Sequence, residues 1–295
     1  MRVTEQLRLN NQVSYLNAAS ERMDRIQRQL ATGKRIDKAS DDPSGTALAL
    51  AHRKNLAFET QMRRNMENGT AFLNVTESAL DGATDLLQRA RELTIRAANG
   101  TNGPEELRSI GAEVGQLVQG LAQIANSNFG GAYIFGGHQT QAPAYQVTGS
   151  PPTAITYQGD TGQRVHRISA QDTVPTNVVG SSAFGTIFNE LIALRDNLNT
   201  NGPLSVTSAA IANIDSGLDR VLQARADVGA RLNRFESAQR RSEDTDVSLQ
   251  ELRAQIEDVD LADAIIRMTA QQNALQAALG AIGRTANDSL LNFLR

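Results

Sequence analysis

Few side chains in this sequence could do covalent or acid–base chemistry, and their spacing is poor for it. His52, His138 and His166 are the only histidines in 295 residues, and there is no cysteine. Disulfides, thiolate nucleophiles and zinc–thiolate sites are therefore excluded. No two histidines stand at a metal-binding spacing and no HExxH occurs. His52, within the polar stretch HRKN, reads as an ordinary surface histidine. No GxSxG elbow accompanies the many serines and aspartates, so a Ser-His-Asp triad has no anchor. Asp41 and Asp42 could pair on a divalent cation. Standing before Pro43, they read more simply as a helix N-cap followed by proline in the first turn. Gly130, Gly131, Gly136 and Gly137 raise the question of a phosphate loop. No GxxxxGK[ST] is present and no strand precedes a GxGxxG, so they read as turns around Tyr133, Ile134 and Phe135. Arg22, Arg25 and Arg28 read as a solvated helix face. The sequence thus offers no catalytic, cofactor-binding or metal-binding residue, and no enzyme or cofactor is expected.

The elements that would position any site are mostly helical. None of the seven prolines lies in 1–42 or 204–295, and four fall between 143 and 175. Both ends are therefore free to form long helices. Residues 3–32 carry a seam spaced alternately by four and three: Leu9, Val13, Leu16, Ser20, Met23, Gln27, Leu30. It should end at Thr32-Gly33, with glycine as the left-handed cap. A second helix is predicted from Pro43 to about Ala98 on the seam Met62, Met66, Gly69, Leu73, Thr76, Leu80, Ala83, Leu87, Ala90. A third, from Pro104 to about Asn128, uses Leu107, Ile110, Val114, Leu117, Leu121 and Ile124.

Residues 132–188 read as strands, in the β-branched runs AITYQG, RVHRISA and TVPTNVVG, with residues 157–163 as a hairpin loop. After Pro203 the helical pattern resumes on Ile211, Ile214, Leu218, Val221, Arg225, Val228, Leu232 and Phe235, continuing through Gln239, Ser242, Asp246 and Leu249. A phase break at Glu257–Asp260 precedes a last stripe on Leu261, Ile265, Met268, Gln272, Leu275, Leu279 and Ile282.

Lys and Arg number 29 against 32 Asp and Glu, for a net charge of −3. Neither nucleic acid nor an anionic membrane has an electrostatic claim on such a chain. No run approaches the ~20 apolar residues of a membrane span, and MRVTEQLRLNNQ lacks the apolar core of a cleaved leader. Aromatics are scarce, with 8 Phe, 4 Tyr and no Trp. The informative feature is the ends. Their seams mix Ala, Gln and Ser with Leu, and Ile265/Ile266, Leu290/Leu291 and Phe293/Leu294 put apolar groups on more than one face. Helices of that kind either close into a self-contained bundle or complete themselves by lateral association with neighbouring chains.

Several segments resemble the bacterial flagellin superfamily. RVTEQLRLNN at the start, LATGKRIDKASDDPSG at 30–45 and ARELTIRAANGTNGPEE at 90–106 are similar to the N-terminal half of flagellins; residues 258–295 are similar to their C-terminal helix. YIFGGHQTQAPAY (133–145), ITYQGDTGQ (155–163) and TVPTNVVGSSAFG (173–185) resemble the superfamily's hook–filament junction branch, while DVGARLNRFE (227–236) suits both branches.

The resemblance implies a mainly α fold: a long antiparallel helical rod of N- and C-terminal segments, with a small β-rich insert domain at the tip. Expected boundaries are 1–42 with 258–295 for a tube-core domain, 43–131 with 189–257 for a helical rod domain, and 132–188 for the outer insert. It implies a structural subunit, exported unfolded without a cleaved signal peptide, in the extracellular flagellum. Its partners would be copies of itself in a helical ring, the first hook-associated protein on the hook side, flagellin on the filament side and a cytoplasmic export chaperone. Tube-core contacts are expected at Leu9, Val13, Leu16, Met23, Leu275, Leu279, Ile282, Leu290 and Phe293. The nearest alternative is a short flagellin forming the filament itself. An enzyme on the same scaffold would need a constellation the insert lacks, and a membrane-active helix would need a basic, aromatic border.

Overall fold

The computed structural model describes residues 2–99, 101–200 and 204–293, with side chains described except at 2–6, 8–9, 204–206 and 284–293. Seven helices run α1 (Arg2–Thr32), α2 (Pro43–Ala97), α3 (Pro104–Ala125), α4 (Gly180–Phe184), α5 (Ile187–Asn199), α6 (Leu204–Glu257) and α7 (Leu261–Phe293). Short strands β1 (Asn128–Phe129), β2 (Ala132–Tyr133), β3 (Tyr145–Thr148), β4 (Ala154–Tyr157), β5 (Val165–Arg167) and β6 (Thr173–Pro175) lie between α3 and α4. The fold is mainly α, with long antiparallel helices and a small β-rich insert. The chain divides into two compact units, residues 1–59 with 244–295 and residues 60–243.

In the second unit the predicted seams are the core. All nine seam positions of α2, from Met62 to Ala90, are buried. Along α6, Ile214, Val221, Val228 and Phe235 are buried, and the alternate positions are half-buried. The two helices run antiparallel, as the ion pairs Arg91–Asp215 and Arg225–Glu77 require. Helix α3 enters on Gly103-Pro104, where the Glu106 carboxylate accepts the Gly103 N–H at 2.7 Å. Helix α5 packs against α3 and buries Phe188, Leu191, Leu194 and Leu198.

The strands form three separate antiparallel pairs, β1–β2, β3–β4 and β5–β6. Gly130 (φ +58°) and Gly131 (φ +82°) make the two-residue turn between β1 and β2, a conformation that favours glycine at both positions. The expected hairpin across 157–163 does not form: β4 pairs back to β3, and β5 pairs forward to β6. Asp160 is the reason. Its Oδ1 accepts the backbone N–H of both His138 and Gly162 at 2.8 Å, which ties the loop to the 136–138 turn instead of to a strand. Of TVPTNVVG only its first three residues are strand; its last glycine, Gly180, already opens α4. Phe135, Tyr145, Tyr157, Phe184 and Phe188 stack into one cluster, with ring centroids as close as 4.9 Å between Tyr145 and Phe188.

The first unit is built differently. Antiparallel α1 and α7 pack together, and the two inter-helix loops clip to one another. Val259 N–H donates to Gly33 O at 3.0 Å and Arg35 N–H to Glu257 O at 2.6 Å. Gly33 takes φ +68°, the left-handed conformation that ends α1 where the sequence places its cap. Asp42 Oδ1 accepts the Gly45 N–H at 2.8 Å and caps α2. Asp260 does the same for α7, accepting from Ala262 N–H at 2.9 Å.

Candidate assembly surfaces

Asp41, Asp42 and His166 are engaged in local structure. Asp41 accepts the Lys38 N–H at 3.0 Å, and both Asp41 and Asp42 are held below the usual carboxylate range, chiefly by backbone hydrogen bonds. His166 is half-buried with Nδ1 3.0 Å from Thr176 Oγ1, and burial, then the nearby Arg164, lowers its pKa. His138 is exposed, beside Gly162. His52 is half-buried on α2. Among the described residues no three His, Asp or Glu side chains gather as a metal site, and no helix is long and apolar enough to cross a membrane.

What stands out is the apolar balance of the first unit. Among the described residues its buried apolar side chains are Ala19, Met23, Ala49 and Ala264. Its exposed ones include Leu7, Val13, Tyr15, Leu48, Leu50, Leu261, Ile265, Ile266 and Leu279, with Tyr15 75% and Ile266 69% exposed. At about 25 cal/mol per Å2 of apolar surface, three alanines and a methionine contribute little against the entropy of ordering such long helices. Of the large aliphatic side chains, Leu16, Ile26, Leu30, Leu275 and Ile282 are only half-buried, and the exposed ones supply nothing in the single chain.

The geometry of the α1/α7 contact explains this. On α7 the shielded stripe is Ala264, Met268, Gln271, Leu275, Ala278, Ile282. On α1 it is Gln12, Leu16, Ala19, Met23, Ile26, Leu30. Both alternate by four and three, as a supercoiled pair requires. Small residues let the backbones approach, and Gln271 Nε2 donates across the seam to Ala19 O at 3.2 Å. The sequence stripe meets this one at Met268, Leu275 and Ile282; between them it takes Ile265, Gln272 and Leu279, where the shielded positions are the neighbouring Ala264, Gln271 and Ala278.

The expected tube-core residues therefore fall into two sets. Met23 is buried, and Leu16, Leu275 and Ile282 are half-buried, all within the α1/α7 seam. Val13 and Leu279 are exposed. Leu9, Leu290 and Phe293 lie outside the described side chains. Sequence reading left out Tyr15, Leu48 and Leu50 of the exposed group, which carry no periodic signal of their own.

At the loop clip, the buried carboxylate of Glu257 meets three cations. Arg53 Nη2 is 2.8 Å from Oε1, Lys34 Nζ 3.6 Å from Oε2 and Arg253 Nε 4.0 Å from Oε2. Lys34 Nζ also reaches Asp258 Oδ1 at 2.5 Å. Arg53 is exposed and Lys34 and Arg253 are half-buried, so water still screens the cluster and it fixes the loops at modest electrostatic cost.

Comparison with known proteins places this arrangement. The bacterial flagellin N-terminal helical region matches residues 3–140, and the bacterial flagellin C-terminal helical region matches residues 211–294. The chain is 33% identical to the flagellar filament 30.7 kDa core protein of Treponema maltophilum, over 90% of this chain and 89% of that one. It is 26% identical to flagellar hook-associated protein 3 of Salmonella typhimurium, over 94% and 95% of the two chains. The flagellar junction protein FlgL of Legionella pneumophila shares the fold, with a TM-score of 0.60 at 17% identity, covering 73% of this chain and all of that one. Two family matches, at either end, and end-to-end similarity at this identity leave one conclusion: the chain belongs to the bacterial flagellin superfamily.

Proposed function

We propose that this chain is a non-enzymatic structural subunit of the bacterial flagellum that joins the hook to the flagellin filament. One observation carries the reading: the first unit buries almost no large apolar side chain of its own and exposes a set of them along α1, α2 and α7. Such faces are completed by neighbouring copies. On a helical lattice each such contact is heterologous, one surface of a copy against a different surface of the next. The junction assignment is supported by end-to-end similarity to a hook-associated protein 3.

In this reading the hook-side partner is the first hook-associated protein and the filament-side partner is flagellin. Residues 1–42 with 258–295 form the tube-core domain, 43–131 with 189–257 the helical rod domain and 132–188 the outer insert. The exposed Val13 and Leu279 meet neighbouring copies. The chain travels unfolded through the flagellum's own export apparatus, and a cytoplasmic chaperone shields its C-terminal segment beforehand.

A second reading, a short flagellin, is favoured by the 33% identity to a filament core protein. Deleting the gene in its host and imaging the cells separates the two. The junction reading expects hooks without filaments and flagellin released into the medium. Purified chain that grows long filaments unaided would support the filament reading instead.

A further inference from the structure

The β3–β4 hairpin of the second unit has an open side. Tyr145 stands opposite Tyr157, and Val147 opposite Ile155. The Gln158 N–H donates to Ala144 O at 2.8 Å, which sets the alternation of the ladder. Ala144, Gln146 and Thr148 turn their main-chain groups to β4, and Tyr145 and Val147 turn theirs away. Asn126, at the end of α3, meets those of Tyr145: its Oδ1 accepts the Tyr145 N–H and its Nδ2 donates to Tyr145 O, both at 2.8 Å. A residue of a third strand would make the same two-bond exchange. Among the described residues no group meets the N–H and C=O of Val147, a residue that is 43% exposed. Unpaired main-chain groups at a sheet edge are a template for another chain.

Two clefts flank that edge, of about 500 Å3 and 640 Å3, and Asn126 and Val147 line both. Gln119, Gln123 and Ser150 also line the first, and Gln139, Pro143 and Gln146 the second. Gln146 and Val147 are consecutive in a strand, so their side chains point to opposite faces. The clefts therefore open on the two faces of β3 and meet at its free edge. An extended peptide laid along that edge sends alternate side chains to the same two faces, one into each cleft, while its residue opposite Val147 exchanges both main-chain bonds. No charged side chain lines either cleft. Carboxamides and a hydroxyl suit uncharged side chains, and an entering charge would lose water without gaining a counter-charge. We propose that the free edge of β3 docks an uncharged, extended segment of another protein, which adds beside Val147 as a short third strand with Asn126 as its stop. β3 of a second copy is a poor occupant, since symmetric pairing about position 147 would set residue 149 of each copy opposite Tyr145, where Asn126 already sits.

The test titrates the 15N-labelled full chain with the neutral peptide acetyl-Thr-Val-Thr-Val-Thr-amide and follows the Val147 amide and the carboxamides of Gln123 and Gln146, one from each cleft. The expected result is a saturable shift of all three. V147A, which keeps the N–H, should bind within about threefold of the parent, and V147P, which removes it, about tenfold more weakly. Proline is tolerated at an edge position whose N–H points outward, and an unchanged unfolding midpoint checks that V147P is folded. The peptide supplies the second arm: proline in place of its central valine, or lysine in place of its threonines, should weaken binding to the parent chain by a similar factor. A linear response, or equal binding by V147P and by the proline peptide, overturns the proposal. So does a Val147 amide that moves with protein concentration before peptide is added, which would make a second copy the occupant.

Discussion

The ring of Phe235 on α6 lies directly over Gly69 on α2: a β-carbon at position 69 would stand 2.7 Å from Phe235 Cζ. Phe235 is fully buried, and the same β-carbon would meet Thr176 Cγ2 at 3.3 Å. Alanine would gain about 1 kcal/mol of helix propensity, but forcing a methyl under a packed ring costs about 1–3 kcal/mol. Gly69→Ala should therefore destabilise the second unit by up to about 2 kcal/mol, read by urea denaturation followed at 222 nm. A gain in stability would mean that the ring has room to move.

That glycine shows what the sequence makes legible and what it hides. Gly69 was readable as a seam position because the four-three alternation runs through it without a break. The same alternation located every long helix, since a 3.6-residue period over thirty or more residues leaves little ambiguity. The hairpin at 157–163 was misread because strand pairing is a tertiary choice, and here one carboxylate, Asp160, redirects the loop through two backbone N–H groups. In the terminal helices every second seam position is legible, Leu16, Met23 and Leu30 on α1 and Met268, Leu275 and Ile282 on α7, and the positions between them are displaced by one. Hydrophobicity singles out Ile265 and Leu279, while packing prefers Ala264 and Ala278 for their small size. The apolar excess of the terminal helices is legible for a related reason: apolar residues on more faces than one helix pair can bury are a property of the sequence itself.

Tyr145 supplies a second prediction. Its phenol is buried among Tyr157, Phe184 and Phe188, and its hydroxyl has no hydrogen-bond partner. Tyr145→Phe keeps the packing and removes the desolvated hydroxyl, so stability should be unchanged or rise by up to about 1 kcal/mol. Burial, with a smaller contribution from Tyr157, pushes the phenol's pKa above its ordinary value of 10.0. The unfolded chain then ionises first. The stability contribution is fully present below pH 10 and is lost as pH rises beyond it. Unfolding measured from pH 8 to 11 should show a shallower alkaline loss for the phenylalanine variant.

Glu257→Gln tests the loop clip. The buried carboxylate faces Lys34, Arg53 and Arg253. Because these cations can rehydrate, the loss should be about 1–2 kcal/mol, below that of a fully buried pair. It should appear locally, as roughly tenfold faster amide exchange at Arg35 and Val259, whose N–H groups close the clip. Unchanged exchange at both amides would show that backbone pairing alone holds the loops.

The assembly reading makes the sharpest demand on Ile266 and Leu279, which are exposed on α7 in the single chain. An aspartate at either position touches no core, so the free protein should unfold within about 0.5 kcal/mol of the parent. In the flagellum, however, the same aspartate would be pressed into an apolar contact with a neighbouring copy and would have to desolvate its charge, at a cost of several kcal/mol. Each variant, returned to a host lacking the gene, should be exported but fail to support filament growth. Arg22→Gln, at an exposed polar position on α1, should support it normally. Full motility with Ile266→Asp and Leu279→Asp combined would mean that both of these outward faces of α7 stay in water after assembly, and the apolar excess of the terminal helices would then need another occupant.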